Sequence, residues 1–97
     1  MTYSLEFKPK ATKEWDRLTS SIKEQFKKKL IKRLENPKVI KDKLSGYSEI
    51  YKIKLRSSGF RLIYEVKNEQ IVVLVLTVGR RENDKVYKNL EARVKTN

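Results

Sequence analysis

Four cations gather in one short stretch of this chain: Lys52, Lys54 and Arg56, and across a turn Arg61. In Tyr51-Lys52-Ile53-Lys54-Leu55-Arg56 they alternate with apolar residues, and Phe60-Arg61-Leu62 answers beyond Ser57-Ser58-Gly59. Alternation of period two marks a half-buried strand, so the segment reads as a β-hairpin with one apolar and one cationic face. Such a face suits a polyanion, because ammonium and guanidinium groups held ready stabilise charge as it grows on a phosphate. Lys52 and Lys54 stand two residues apart on one strand, about 7 Å between Cα atoms. At an effective dielectric of ~20 their charges repel by roughly 2 kcal/mol. That repulsion favours release of a proton, which is what a general base requires. In an ordinary domain the same pattern is a solvated face, and that plainer reading stands beside the chemical one.

A second cluster, Gly79-Arg80-Arg81, closes the apolar run Ile71–Val78. Binding and catalytic groups concentrate where a strand gives way to a loop. Tyr87 follows six residues after Arg81; if its helix packs beside the sheet, Arg81 and Tyr87 approach the hairpin cations. Tyr87 reads equally as a core residue beside Val86 and Leu90. Trp15, at helical spacing with Ala11 and Leu18, reads as core. The run Lys27-Lys28-Lys29 reads first as a solvated helix face, and Lys27 and Lys28 with Arg56 and Arg80 are candidate RNA contacts.

Composition narrows the chemistry. The 97 residues carry 24 Lys+Arg against 12 Asp+Glu, a formal charge of +12, which favours a nucleic-acid, acidic-protein or other anionic partner. There is no cysteine and no histidine. Disulfides, thiolate metal sites, the commonest metal ligand and the usual neutral-pH proton shuttle are thereby excluded. Absence of cysteine fits a reducing cytoplasm. The N-terminal MTYSLEFKPK has no apolar signal region, and Ile71–Val78 is far too short to span a bilayer, so no membrane role is expected.

One domain over residues 1–97 is the natural expectation. Tyr3, Leu5 and Phe7 alternate with polar residues, predicting a strand over 2–8 whose neighbour stays open. Pro9 suits the first turn of a helix that reaches about residue 19. A second helix opens at Ser20 or Ser21, with capping-box spacing between Ser21 and Glu24. Ile22, Phe26, Leu30 and Leu34 form its apolar stripe, and Asn36-Pro37 ends it. A loop over 37–48 follows, anchored by Leu44 and turning at Ser45-Gly46. Strands are predicted over 49–56, 60–66 and 71–78, the last central, with Gly79 breaking it. Val86, Leu90 and Val94 predict a C-terminal helix from Glu82 onward.

Parity constrains the hairpin. Lys52, Lys54 and Arg56 share a face with Arg61, Ile63 and Glu65, so paired positions must sum to an odd number. A two-residue turn at Ser58-Gly59 satisfies this and sets Arg56 opposite Arg61, Lys54 opposite Ile63 and Lys52 opposite Glu65. Glu65 then holds Lys52 charged, which leaves Lys54 as the better base.

Lys13-Glu14-Trp15, the block Tyr51 to Leu62, Val78-Gly79-Arg80-Arg81-Glu82 and Val86-Tyr87 together resemble the RelE toxins of bacterial toxin–antitoxin pairs, over nearly the whole chain. The resemblance implies an α+β fold: an antiparallel-dominated four-stranded sheet, two N-terminal helices on one face, and a C-terminal helix. It implies a ribosome-dependent endoribonuclease that cuts mRNA in the A site without metal or cofactor. In that reaction the 2′-hydroxyl attacks the adjacent phosphate, leaving a 2′,3′-cyclic phosphate and a 5′-hydroxyl. The family's active-site positions fall on Lys52, Lys54, Arg61, Arg81 and Tyr87. Lys54 is the expected base, with Lys52 and Arg61 on the phosphate, Arg81 at the leaving group and Tyr87 orienting the cleaved nucleotide or sharing the base role; which of Lys52, Lys54 or Tyr87 is the base stays open at this point. The implied partners are the ribosome with its mRNA and an acidic RelB-type antitoxin that covers the site, with promoter DNA bound only through the antitoxin. Two rivals remain: a ParE-like gyrase poison of the same fold, and a non-catalytic basic module that binds RNA or the ribosome.

Overall fold

The structure is a computed structural model and describes residues 2–80 and 85–95. Along the chain run β1 (Ser4–Phe7), α1 (Pro9–Asp16), α2 (Ser20–Glu35), a 3-10 turn (Ile40–Asp42), β2 (Ile50–Leu55), β3 (Phe60–Lys67), β4 (Val72–Arg80) and α3 (Lys85–Lys95).

Pro9 takes the first turn of α1, where its missing N–H costs nothing. The cap of α2 is Thr19, not Ser21: its Oγ1 accepts from the Ile22 N–H at 3.3 Å. Ser20 is already helical, so Thr19 is the hydroxyl that faces the bare amides of the first turn. Glu24 turns instead to Lys27, 3.5 Å away on the surface. The predicted stripe holds, with Phe26 and Leu30 fully buried and Ile22 and Leu34 packed at its ends.

The strands lie in the order β1-β4-β3-β2, and β1 runs parallel to β4 while the other pairs are antiparallel. The hairpin keeps the predicted parity but shifts by two residues. Leu55 pairs with Phe60, Lys54 with Arg61, Lys52 with Ile63 and Ile50 with Glu65. The connection is a four-residue loop over 56–59, closed by the Gly59 N–H on the Leu55 carbonyl at 2.9 Å, with Gly59 at φ +76°. A glycine after a type I-like turn supplies the left-handed residue such loops need. Arg56 therefore leaves the strand for the loop, and Glu65 is not opposite Lys52; it meets Lys67 at 3.4 Å. Gly79 does not end β4: it pairs with Arg61, Arg80 pairs with Phe60, and the strand runs through both. Ile71, predicted to open that strand, sits at φ 55° in the preceding turn.

Each face of the sheet has its own core. On one, Ala11, Phe26 and Leu30 meet Tyr51, Ile53, Leu62, Tyr64, Val73 and Val75. On the other, Val86 and Leu90 of α3 close over Ile50, Ile63 and Leu76, with Leu44 and Tyr47 at the rim. Val94, predicted on the same stripe, is exposed. The helix start predicted at Glu82 lies outside the described residues, as does Arg81. Because α3 covers only part of its face, the cations beside it stay open to a ligand.

Candidate active site

Lys52 and Lys54 alternate with buried Tyr51, Ile53 and Leu55, so they project from the face that carries α3, half-buried. The Lys52 carbonyl points away from β3 and accepts from Arg33, which marks Lys52 and Lys54 as non-hydrogen-bonded positions. At such positions paired Cα atoms lie about 4.5 Å apart and side chains are closest. Arg61, directly opposite Lys54, is thus the nearest cation to it across the strands. Its Nη1 donates to the Tyr87 hydroxyl at 2.8 Å, and its guanidinium carbon lies 5.9 Å from the Tyr87 ring centroid. Gly79, paired with Arg61, has no side chain, and a Cβ there would meet nothing within 4 Å. The space beside Arg61 is therefore open.

Lys52, Lys54 and Arg61 share the face of the sheet that carries α3, and Arg61 reaches Tyr87 on that helix; Arg81 lies outside the described residues. The four auxiliary cations do not join them. Arg80 shares a face with Phe60, its guanidinium 5.1 Å from that ring, and so projects to the side opposite Lys54. There it lines a groove of about 710 Å³ with Arg17, Leu18, Ile22, Phe60 and Val78. Arg56 is exposed on the hairpin loop, and Lys27 and Lys28 are exposed on α2, the helix that covers the other face. Among the described residues no three His, Cys, Asp or Glu side chains cluster as metal ligands.

Sequence reasoning missed two polar assemblies that hold this face in place. β2 is an edge strand, so alternate carbonyls lack a ladder partner. Arg33 of α2 takes one, donating to the Lys52 carbonyl at 3.1 Å and to the Tyr64 hydroxyl at 2.9 Å while paired with Asp42. Tyr64 donates in turn to the Pro37 carbonyl at 2.6 Å. Burial pushes the Tyr64 phenol above its ordinary pKa, against the opposing pull of Arg33, and burial likewise raises Tyr51. The second assembly lies on β4. Pairing with β1 stops at Val75, and beyond it the strand edge is bare. Glu14 of α1 fills the gap, accepting from the Val78 N–H at 3.1 Å, Thr77 Oγ1 at 3.2 Å, Asn89 Nδ2 at 3.3 Å and Arg93 Nη1 at 2.7 Å. Arg93 also donates to the Leu76 carbonyl at 2.9 Å. The available signal was the position of Glu14, three residues after buried Ala11 and so on the inner face of α1.

The family description "ParE toxin of type II toxin-antitoxin system, parDE" matches residues 5–85. The mRNA interferase toxin RelE of Escherichia coli strain K12 is 49% identical over 94 residues, spanning 97% of this chain and 99% of that protein. The chain belongs to the RelE/ParE toxin family. A putative RelE-like toxin protein of Escherichia coli is 45% identical over 95 residues, covering 98% of this chain and 100% of its own length. A doubly arginine-to-alanine-substituted E. coli RelE in the free state superposes with a TM-score of 0.90 at 48% identity, over 97% of this chain and 99% of that one. E. coli RelE in complex with an antitoxin RelBc peptide superposes at 0.81 and 49% identity, over 93% and 95%. The expected fold class, a mostly antiparallel four-stranded sheet with two N-terminal helices and a C-terminal one, is therefore the RelE fold. The family description carries the ParE name, whereas the near-full-length relatives at 45–49% identity carry the RelE name.

Proposed function

We propose that this RelE-family chain is the toxin of a toxin–antitoxin pair and acts as a ribosome-dependent mRNA endoribonuclease in the A site. The observation that carries this reading is the pairing of Lys54 with Arg61, with the Tyr87 hydroxyl 2.8 Å from the same guanidinium. Lys54, facing a cation and lacking a carboxylate opposite, is the base that takes the proton of the 2′-hydroxyl. The freed oxygen attacks the adjacent phosphorus, and Lys52 and Arg61 neutralise the charge that accumulates there. The bond to the 5′-oxygen breaks, giving a 2′,3′-cyclic phosphate and a 5′-hydroxyl, with the departing oxygen protonated from solvent. Arginine does not surrender its proton in proteins, so Arg81 serves that oxygen as a charged hydrogen-bond donor. Tyr87 orients the nucleotide at the cut. Without imidazole the site is poorly matched to neutral pH, and the ribosome's positioning of the mRNA supplies what the acid–base chemistry lacks.

The same charge selects the partner. An acidic RelB-type antitoxin covers the cationic face and the C-terminal helix beside it, as the complexes of relatives with RelB support. Promoter DNA is bound through that antitoxin, and the toxin works in the cytoplasm.

Primer extension on translated mRNA tests the reading. Cuts within A-site codons are expected with the parent protein and not with Lys52→Ala/Lys54→Ala/Arg81→Ala. Unchanged cutting by the triple variant removes the site assignment. Inhibition of gyrase supercoiling without RNA cuts replaces the reading with the ParE one, and salt-sensitive ribosome binding without cuts replaces it with a binding module.

A further inference from the structure

Strands fix the cations of this site, but Tyr87 rides on α3, and an apolar seam alone does not set the position of a helix. Val86 and Leu90 are buried against Ile50, Ile63 and Leu76, and such contacts are non-directional. A slide of the helix along its seam by about 1 Å, less than the ~1.5 Å rise of one residue, would keep them largely satisfied. Direction comes from Glu14. It is held to the Val78 amide of β4 and grips α3 at Asn89 and Arg93, and Arg93 returns to the Leu76 carbonyl. The Glu14 and Arg93 side chains are 20% and 12% exposed, so this ion pair is largely sheltered from water. Val78 is next to Gly79, the partner of Arg61. One stretch of β4 is thus the common reference for Arg61 and, through Glu14, for the helix that brings Tyr87 to it.

We infer that Glu14 is a positioning residue for the cleavage reaction: bridging α1, β4 and α3, it sets where α3 sits along its apolar seam and so holds the Tyr87 hydroxyl against Arg61. This rests on the reading that places Tyr87 in the active site.

The test is a double-mutant cycle on programmed ribosomes, with single-turnover cleavage followed over a range of toxin concentrations and thermal melts run alongside. Glu14→Gln keeps the shape of the side chain and removes its charge. It is expected to slow cleavage at saturation by about 10- to 100-fold, as ~1 Å misplacements do. The concentration for half-maximal rate should move less than about threefold, because uniform binding is untouched. In a Tyr87→Ala background, Glu14→Gln should cost less than about twofold more, since the residue it positions is gone. If Glu14→Gln is unfolded at the assay temperature, Asn89→Ala, which removes one of the same contacts, takes its place in the cycle. Full additivity of the two effects overturns the inference and leaves the active-site reading standing. A Tyr87→Ala variant that cleaves at the parent rate overturns both.

Discussion

Replacing Arg61 with methionine separates charge stabilisation from folding more cleanly than any other change at this site. Arg61 is half-buried, faces Lys54 across the hairpin and donates to Tyr87 at 2.8 Å. Suppose the phosphorane gains one unit of charge about 4 Å from the guanidinium. At an effective dielectric of ~20 the attraction is about 4 kcal/mol. Lys52 and Lys54 retain part of the stabilisation, so a loss of about 3–4 kcal/mol is expected, or 10²- to 10³-fold in rate, the range seen when one preorganised donor is removed elsewhere. The fold loses one part-buried hydrogen bond, about 1 kcal/mol, or ~4–8 °C in Tm for a domain of this size. Arg61→Lys keeps the charge but loses the fork that reaches Tyr87, and should fall between the two. The assay is single-turnover cleavage of mRNA on programmed ribosomes at saturating toxin, with melts to confirm folding. A folded Arg61→Met variant that loses less than about tenfold would refute the electrostatic account, since the calculation assigns it at least ten times that.

Three further outcomes follow from the same geometry. Arg33→Met strands Asp42, whose side chain is 16% exposed, and should cost about 2–3 kcal/mol in chemical denaturation, below the 3–5 typical of a fully buried pair; Arg33→Met/Asp42→Leu should recover part of it. In a spectrophotometric titration Tyr64 and Tyr51 should ionise above the ordinary tyrosine value of about 10. Their folded-state values are raised, so the stability they contribute is intact below that pH and is lost as pH climbs through the raised values; Tyr64→Phe should remove one late step. Gly79→Leu puts a side chain into the space beside Arg61, where a Cβ meets nothing within 4 Å. It should leave the unfolding free energy within about 0.5 kcal/mol of the parent, as neutral surface changes do, while cleavage falls more than about tenfold.

The period of the apolar residues was enough to name each element, and parity was enough to put Lys52, Lys54 and Arg61 on one face. Turn length was not readable, because loops of two and four residues satisfy the same parity, and the difference decided that Arg61 rather than Ile63 faces Lys54. Gly79 looked like a terminator because glycine between an apolar strand and an arginine pair often is one; here its missing side chain makes room while its backbone stays in the ladder. Arg80, beside Arg81 in the second cluster, reads from the sequence as an RNA contact, yet one strand residue more or less reverses the face. Arg33 and Glu14 were hidden for a different reason. Their partners are backbone groups left bare only because β2 is an edge and β1 is short, and neither fact exists until the strands are assembled.

The parallel seam between β1 and β4 has a kinetic consequence. It joins Ser4 to Val72, so the chain between them, the greater part of the protein, must be gathered before that seam can close. Contacts this distant along the chain slow the search for the native state, because loop entropy is lost before pairing rewards it. Until the seam closes, the most apolar strand of the protein has an unsealed side during every refolding attempt, and it is there that misassembly and precipitation should begin.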